Sequence, residues 1–337
     1  MSKLAVNYMG IPLKNPIIVG SSNLVNNLEM LRKLEEAGAA AIVYKSLFEE
    51  QIQLESIQFQ DEMELYNERN AEMISLFPGM DHAGPEEHLL KLREAKNALN
   101  IPLIASLNCV FTETWVEYAE LIEKTGVDGI ELNFFSVPRD LNTEAASIED
   151  EQVSVVERVC KKVKIPVSVK LSPFYTNPLQ VISRMAKAGA KAFVLFNRMF
   201  EPDINLDTLQ HSTPFNLSND GDYRLALRYA GVLYKNTEAS ICSSTGIYSG
   251  NDIVKMILAG ADTVQIVSAL YKHKPELITS MLNDLESFMN NHGFDKLDSF
   301  RGKLSKANVK DPYIYKRAQY IDLLLHSEQI FKKYPMA

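Results

Sequence analysis

Apolar residues fall along this chain in short consecutive runs rather than in alternation. Eight runs stand out: Pro16–Ser21, Ala40–Leu47, Pro102–Asn108, Gly129–Phe135, Pro166–Ser172, Ala192–Asn197, Ser240–Gly246 and Thr263–Leu270. Strands that are apolar on successive residues are covered on both faces, as in a parallel sheet wrapped by helices. Between most of the runs apolar positions recur at helical spacing. Leu28–Ala37, with Leu28, Leu31 and Leu34, is one such segment; Thr114–Thr125, Glu149–Val163, Pro178–Ala188 and Asp252–Ala259 are others.

Four of these predicted helices end in the same way, with Gly38, Gly126, Gly189 or Gly260 preceded by two residues such as Glu-Ala, Lys-Thr, Lys-Ala or Leu-Ala. Each glycine sits where a helix C-terminus needs a left-handed residue, and a strand begins within a few positions. The recurring helix–Gly–strand unit predicts an α/β fold, a (β/α)8 TIM barrel with long βα loops. An open doubly wound sheet is the structural alternative. Residues 48–101, 136–149 and 198–223 form long connections, each after a strand, which in a barrel lies at the catalytic mouth. Residues 274–337 read as C-terminal helices packed on the barrel. No interdomain linker interrupts the pattern, so residues 1–337 are expected to form a single domain.

The apolar runs finish in polar groups. Lys45-Ser46, Asn133, Lys170 and Asn197 each follow buried-looking strand residues. In a barrel these positions emerge at the C-terminal edge, where the active site is built. Lysines there point to an anionic ligand or a Schiff base; the plainer reading is a salt bridge, such as Lys170 with Glu131. The asparagines could equally satisfy backbone groups. The stretch Ser243–Asp252 is rich in small residues and opens a helix, and Val267-Ser268 follows the last strand. Both suit a phosphate site between the last two βα loops, or a tight turn capped by Asp252.

Composition narrows the classes. The 337 residues are 46% hydrophobic and carry a net charge of −8, without a basic stripe, so nucleic acid is not an expected partner. Cys109, Cys160 and Cys242 form no CxxC pair, and the six histidines lack ligand spacing, so no metal site is expected. No segment approaches the ~20 apolar residues of a membrane helix, and no signal peptide is read; a cytoplasmic protein is expected.

In their order, these motifs resemble the FMN-dependent dihydroorotate dehydrogenase family over about residues 4 to 300. Asn15–Ser22 looks like the family's first strand and flavin-contacting turn, Lys45-Ser46 like its Lys-Ser/Thr pair, and Glu131–Ser136 like its Asn-x-x-(Cys/Ser) motif. Val169–Pro173 is similar to its Val-Lys-Leu-x-Pro segment, Asn197 to its sixth-strand Asn, and Thr245-Gly246 with Ala259–Ile266 to its phosphate-binding and closing segments. The resemblance implies an FMN cofactor held by Gly20, Ser21, Lys45, Ser46, Asn133, Lys170, Thr245, Gly246, Val267 and Ser268. It implies catalytic roles for Ser136 as base, Lys45 and Lys170, and substrate contacts from Asn133 and Asn197. Arg139, beside the base, is read as a partner for a substrate carboxylate. The implied reaction is oxidation of dihydroorotate to orotate in pyrimidine biosynthesis, with a small cyclic substrate as partner and a homodimer as one possible assembly. Whether the electron acceptor is fumarate, NAD through a partner, or a quinone stays open.

The sequence departs from the family pattern in places. Ile74–Asp81 lacks the asparagines of the family's substrate loop, Val137-Pro138-Arg139 replaces the Pro-Asn after the base, and Val267-Ser268 replaces Gly-Thr. Two other readings therefore stand beside the dehydrogenase: a Schiff-base lyase or aldolase using Lys170 or Lys45 on a phosphorylated substrate, and a flavin-binding barrel without dihydroorotate activity.

Overall fold

The structure is a computed structural model, and it describes residues 3–49, 85–134, 141–198, 201–214, 216–316 and 319–326 together with positions 328 and 332. An antiparallel hairpin, β1 (Val6–Tyr8) and β2 (Ile11–Leu13), precedes the barrel. The barrel strands are β3 (Ile17–Val19), β4 (Ala41–Val43) continued by β5 (Leu47–Phe48), β6 (Leu103–Asn108), β7 (Gly129–Asn133), β8 (Val167–Leu171), β9 (Ala192–Leu195), β12 (Ser240–Ser244) and β13 (Thr263–Ile266). All pair in parallel with the next in chain order, and β13 returns to β3, while β4 joins β6, so the sheet closes on itself. The eight runs read from sequence each hold one barrel strand. Between β9 and β12 a second antiparallel hairpin, β10 (Asp203–Asn205) and β11 (Gln210–Ser212), stands on the surface.

Alternation within each strand divides the core in two. Ile17, Val19, Ile42, Ile130, Leu132, Val169, Phe193 and Leu195 belong to the larger cluster, between barrel and helices. Ile18, Ala41, Val43, Ile104, Ala192, Val194 and Cys242 form the inner cluster with Tyr8, Met9 and Leu13 of the first hairpin. That hairpin therefore plugs the barrel floor; a Cβ on Gly129 would sit 2.5 Å from the Met9 side chain. Above the apolar floor the interior turns polar, with Ser106, Glu131, Ser168, Lys170, Thr263 and Gln265 all buried.

The four helix-ending glycines have φ between +87° and +131°. In two of the units the aspartate two residues later has a specific task. Asp128 accepts from the Leu103 N–H at 2.7 Å, and Asp262 accepts from the Ile241 N–H at 2.7 Å. Each carboxylate thus accepts a charge-assisted bond from an N–H at the start of the preceding strand, the first residue of β6 and the second of β12.

Several boundaries differ from those read in the sequence. The last strand stops at Ile266, and Ser268–His273 is helical. The 48–101 connection contains a helix, Pro85–Ala98, and another, Arg224–Leu233, follows the 198–223 connection. The helix read from Asp252 starts at Gly250: its N-cap is Ser249, and Asp252 completes a reciprocal capping box from the third position. Beyond 273 the described residues include helices Leu277–Asn291 and Gln319–Leu325, with short 3-10 turns between them. Among the described residues no helix is long and apolar enough to cross a membrane, and no group of three His, Cys, Asp or Glu is placed to hold a metal.

Candidate active site

The run Ala40–Leu47 is not one regular strand. Val43 pairs with Ile104 and Leu47 with Leu107, so three residues, 44–46, oppose two, 105–106. This is a bulge, and bulges re-aim side chains beside active sites. The extra residue falls in the Tyr44-Lys45-Ser46 segment. Ser46 is pinned there, with its N–H donating to Ser21 Oγ at 3.0 Å and its hydroxyl 2.6 Å from Ser106 Oγ. Lys45 thereby faces the barrel mouth.

The mouth holds a cavity of about 320 Å³ lined by Lys45, Asn133, Lys170, Asn197, Thr245 and Gln265, among others. Ser21, Ser46, Gly246, Val267 and Ser268 also line it. Side chains from separate strand ends and the turns after them thus meet at one opening. Asn197 Nδ2 donates to Asn133 Oδ1 at 3.0 Å, joining two of the strand-end amides. Gly20 lies beside the cavity rather than in its lining: a Cβ there would be 2.8 Å from Val267 Cγ2 and 3.2 Å from Gln265 Oε1. The missing side chain makes room for the Gln265 amide. Ser136 and Arg139 lie outside the described residues, as do Val137-Pro138 and Ile74–Asp81.

Beneath the mouth sits a buried charged group. Lys170 Nζ is 4.0 Å from Glu131 Oε1, so the pairing offered as the plain reading of Lys170 exists. Gln265 bridges the two: its Nε2 donates to Glu131 Oε2 at 2.5 Å, and its Oε1 lies 3.5 Å from Lys170 Nζ. Burial raises the Glu131 carboxyl above its ordinary value, against the lowering effects of Lys170 and the Gln265 hydrogen bond. The alternation of strands explains this geometry, because Gly129, Glu131 and Asn133 share one face of β7, with Asn133 at the mouth and Glu131 one step below.

The turn after β12 combines two left-handed residues, Thr245 at φ +76° and Gly246 at φ +73°. Thr245 Oγ1 donates to the Phe196 carbonyl at 3.2 Å. The Gly246 N–H donates to Ser218 Oγ at 3.2 Å, and the Ser218 N–H donates to Ser268 Oγ at 3.0 Å. Ser218 therefore connects the two turns for which the sequence suggests a phosphate site. It is held in turn by the Lys272 ammonium, which donates to its carbonyl at 2.9 Å. Arg198, directly after Asn197, donates to the Asn216 carbonyl and pairs with Asp222 at 2.9 Å, closing the same loop over the mouth. Sequence reading missed Ser218, Asn108, Arg198 and Gln265. Asn108 carries a visible signal, since it ends β6 as Asn133 ends β7; Ser218 lies within a long loop and carries none.

Comparison with known proteins agrees with this arrangement. Residues 3–289 match the protein family described as dihydroorotate dehydrogenase. The chain is 31% identical over 313 residues to the catalytic subunit of dihydroorotate dehydrogenase B (NAD(+)) of Thermoplasma volcanium, covering 90% of this chain and 98% of that one. It is 27% identical over 296 residues to the protein of the same description in Methanocaldococcus jannaschii, covering 85% and 93%. A similarity of 25% over 327 residues extends to the NAD-dependent dihydropyrimidine dehydrogenase subunit PreA of Escherichia coli, covering 91% and 77%. The family match favours redox chemistry over the Schiff-base reading of the two lysines. A closed parallel barrel whose strand ends converge on one cavity, matched along most of its length, belongs to the dihydroorotate dehydrogenase family, and the chain is an oxidoreductase of that flavin-dependent family.

Proposed function

We propose that this protein holds FMN across the barrel mouth and dehydrogenates the C5–C6 bond of a dihydropyrimidine ring, with dihydroorotate as the substrate. The observation that carries the reading is the convergence of Lys45, Asn133, Lys170 and Asn197 on one cavity that continues to the Thr245-Gly246 turn. Two features of the chain fit the cofactor. Asn108 Nδ2 lines the cavity buried and without a hydrogen-bond partner, as a donor kept for a ligand is expected to be. At Gly246 a Cβ would come within 2.6 Å of the Tyr223 backbone nitrogen, so only glycine lets residues 222–223 pack against the turn that lines the cavity.

In this reading Gly20, Ser21, Lys45, Ser46, Asn133, Lys170, Thr245, Gly246, Val267 and Ser268 hold the cofactor. FMN, when bound, would supply the acceptor for a hydride from substrate C6. Lys45 and Lys170 place positive charge where negative charge gathers on reduction. The Asn133–Asn197 amide pair, already fixed by its own hydrogen bond, orients the substrate ring with little further ordering. Ser136 removes the C5 proton, and Arg139 holds the carboxylate that distinguishes dihydroorotate from an unsubstituted dihydropyrimidine.

The test is the visible spectrum of the purified protein, before and after FMN reconstitution, followed by anaerobic addition of dihydroorotate. Oxidised-flavin bands that bleach support both cofactor and substrate. Bands that persist with dihydroorotate but bleach with dihydrouracil overturn the substrate while retaining the flavin chemistry. Failure to bind FMN overturns the reading as a whole. Ser136→Ala is expected to retain FMN and lose substrate-driven bleaching.

A further inference from the structure

We infer that Glu131 is a positioning residue for the redox cofactor: from beneath Lys170 it balances that lysine's charge, and it takes up one proton when the cofactor is reduced. The inference rests on the flavin reading above and adds to it a residue that does not touch the ligand cavity.

The geometry places Lys170 between two sites. Its upper side lines the mouth cavity, and its ammonium approaches Glu131 from above at 4.0 Å. Glu131 has no solvent exposure and does not line the cavity. Its two oxygens differ. Oε2 accepts the Gln265 amide at 2.5 Å, whereas Oε1 is buried without a hydrogen bond. A carboxylate serving only as a structural counter-ion would be expected to bond its lysine directly, since buried pairs barely offset their desolvation even with good geometry. This one is held by a neutral amide, stands off from the ammonium and keeps an oxygen free.

Among the described residues the titratable groups facing Glu131 are few. Lys170 comes from β8, Tyr8 from the floor hairpin, and Cys242 from β12. Burial pushes both the tyrosine and the cysteine well above their ordinary values, so both are neutral over the working range. Lys170 is the one charge that stabilises ionised Glu131 among these groups, and it is also the charge offered to the cofactor. The two demands compete.

The charge balance follows. A hydride taken from substrate would bring two electrons and one proton to a flavin bound in the cavity, and with them one extra negative charge to the site that Lys170 lines. The lysine's field is then shared, ionised Glu131 loses part of its support in a water-free interior, and Oε1 accepts one proton drawn from solvent. The net charge of the buried site is the same before and after.

Potentiometric titration of the FMN-loaded enzyme tests this, using wild type, Glu131→Gln and Glu131→Asp across neutral pH, with the flavin spectrum as readout. Glu131→Gln leaves Lys170 without its counter-charge. At fixed poise the reduced-to-oxidised ratio is therefore expected to rise tenfold or more, equivalent to about 30 mV for a two-electron couple. The same variant is expected to lose one proton's worth of pH dependence, while Glu131→Asp retains it. Coincident potentials and pH slopes in wild type and Glu131→Gln, both visibly loaded with FMN, overturn the inference and leave the flavin reading intact. Should Glu131→Gln not fold, the wild-type slope decides: a slope without the additional proton overturns the inference. Failure of wild type to bind FMN removes both.

Discussion

Substituting Gly246 by alanine tests whether the turn after β12 is built for close approach. Two costs are separable. The first is conformational: at φ +73° an L-residue bears about 1–2 kcal/mol of left-handed strain. The second is steric. The added Cβ would lie 2.6 Å from the Tyr223 nitrogen, 2.7 Å from the Asp222 nitrogen and 2.8 Å from the Asp222 Cα. These are backbone atoms that cannot rotate away, so the 222–223 segment must shift, and overpacking of this kind costs about 1–3 kcal/mol. Together the loss is about 2–5 kcal/mol. The displaced segment carries Asp222, which pairs with Arg198, and Tyr223, whose hydroxyl accepts from Lys255 at 2.6 Å. Damage therefore spreads into the loop over the mouth. Gly10→Ala is the control: φ is +92° there, but nothing lies within 4 Å of the added carbon, so only the first cost applies. Urea unfolding of both variants and FMN titration by fluorescence quenching give the answer. Gly246→Ala is expected to lose more stability than Gly10→Ala and to bind FMN at least tenfold more weakly. Equal losses in the two variants, with FMN affinity unchanged, would refute the steric argument.

Three further outcomes are expected. Burial, with Lys45 and Lys91 nearby, lowers the His88 pKa to about 4. Its folded value thus lies below the unfolded one of about 6.5, so stability is complete above that pH and falls as pH drops toward 4; the loss between pH 7 and pH 5 is about 2 kcal/mol, read from urea unfolding, and persistence of the full loss in His88→Phe would exclude this histidine as its source. Glu49 accepts from the N–H groups of Val110 and Phe111, at 2.5 and 2.9 Å, just ahead of the Thr112–Glu123 helix; Glu49→Ala should cost about 2–3 kcal/mol, and a thermal transition unmoved by the change would show that the cap contributes nothing. Asn133→Ala and Asn197→Ala, which break the same amide pair, should couple by about 0.5–3 kcal/mol in a double-mutant cycle on kcat/KM, whereas additive losses would mean the two amides act independently.

The barrel was legible because its strands are buried on both faces, which leaves an apolar residue at nearly every position. The same property hid their ends. The apolar run after β13 continues through Ala269 and Leu270, but these residues are the buried side of a helix turn, and a short apolar run does not distinguish the two. The Pro85–Ala98 helix escaped because its buried face is Pro85, His88, Leu92 and Ala95, only one of them strongly hydrophobic. The β10–β11 hairpin has no fully buried residue, so its pairing left no hydrophobic pattern to read. The bulge at 44–46 is invisible in β4 alone, since it exists only as a mismatch with β6.

The site divides along the same physical line. Residues at strand ends could be found because a lysine or asparagine after an apolar run has few structural reasons to be there. Gln265 was missed because it stands inside a run rather than at its end, yet the period of two already marked it. Thr263 and Gln265 share a face of β13, as Glu131 and Asn133 do on β7, and a buried polar group one step below a mouth residue must be matched by a partner or it destabilises the barrel. Ser106, Glu131, Ser168, Lys170, Thr263 and Gln265 occupy the barrel interior between the apolar floor and the mouth. An apolar filling would hold the barrel together at least as well. A polar layer retained directly beneath the ligand cavity is therefore best explained by what lies above it, and Glu131, paired at a distance with a lysine that faces both ways, is the member of that layer most directly placed to answer to a change of charge in the cavity.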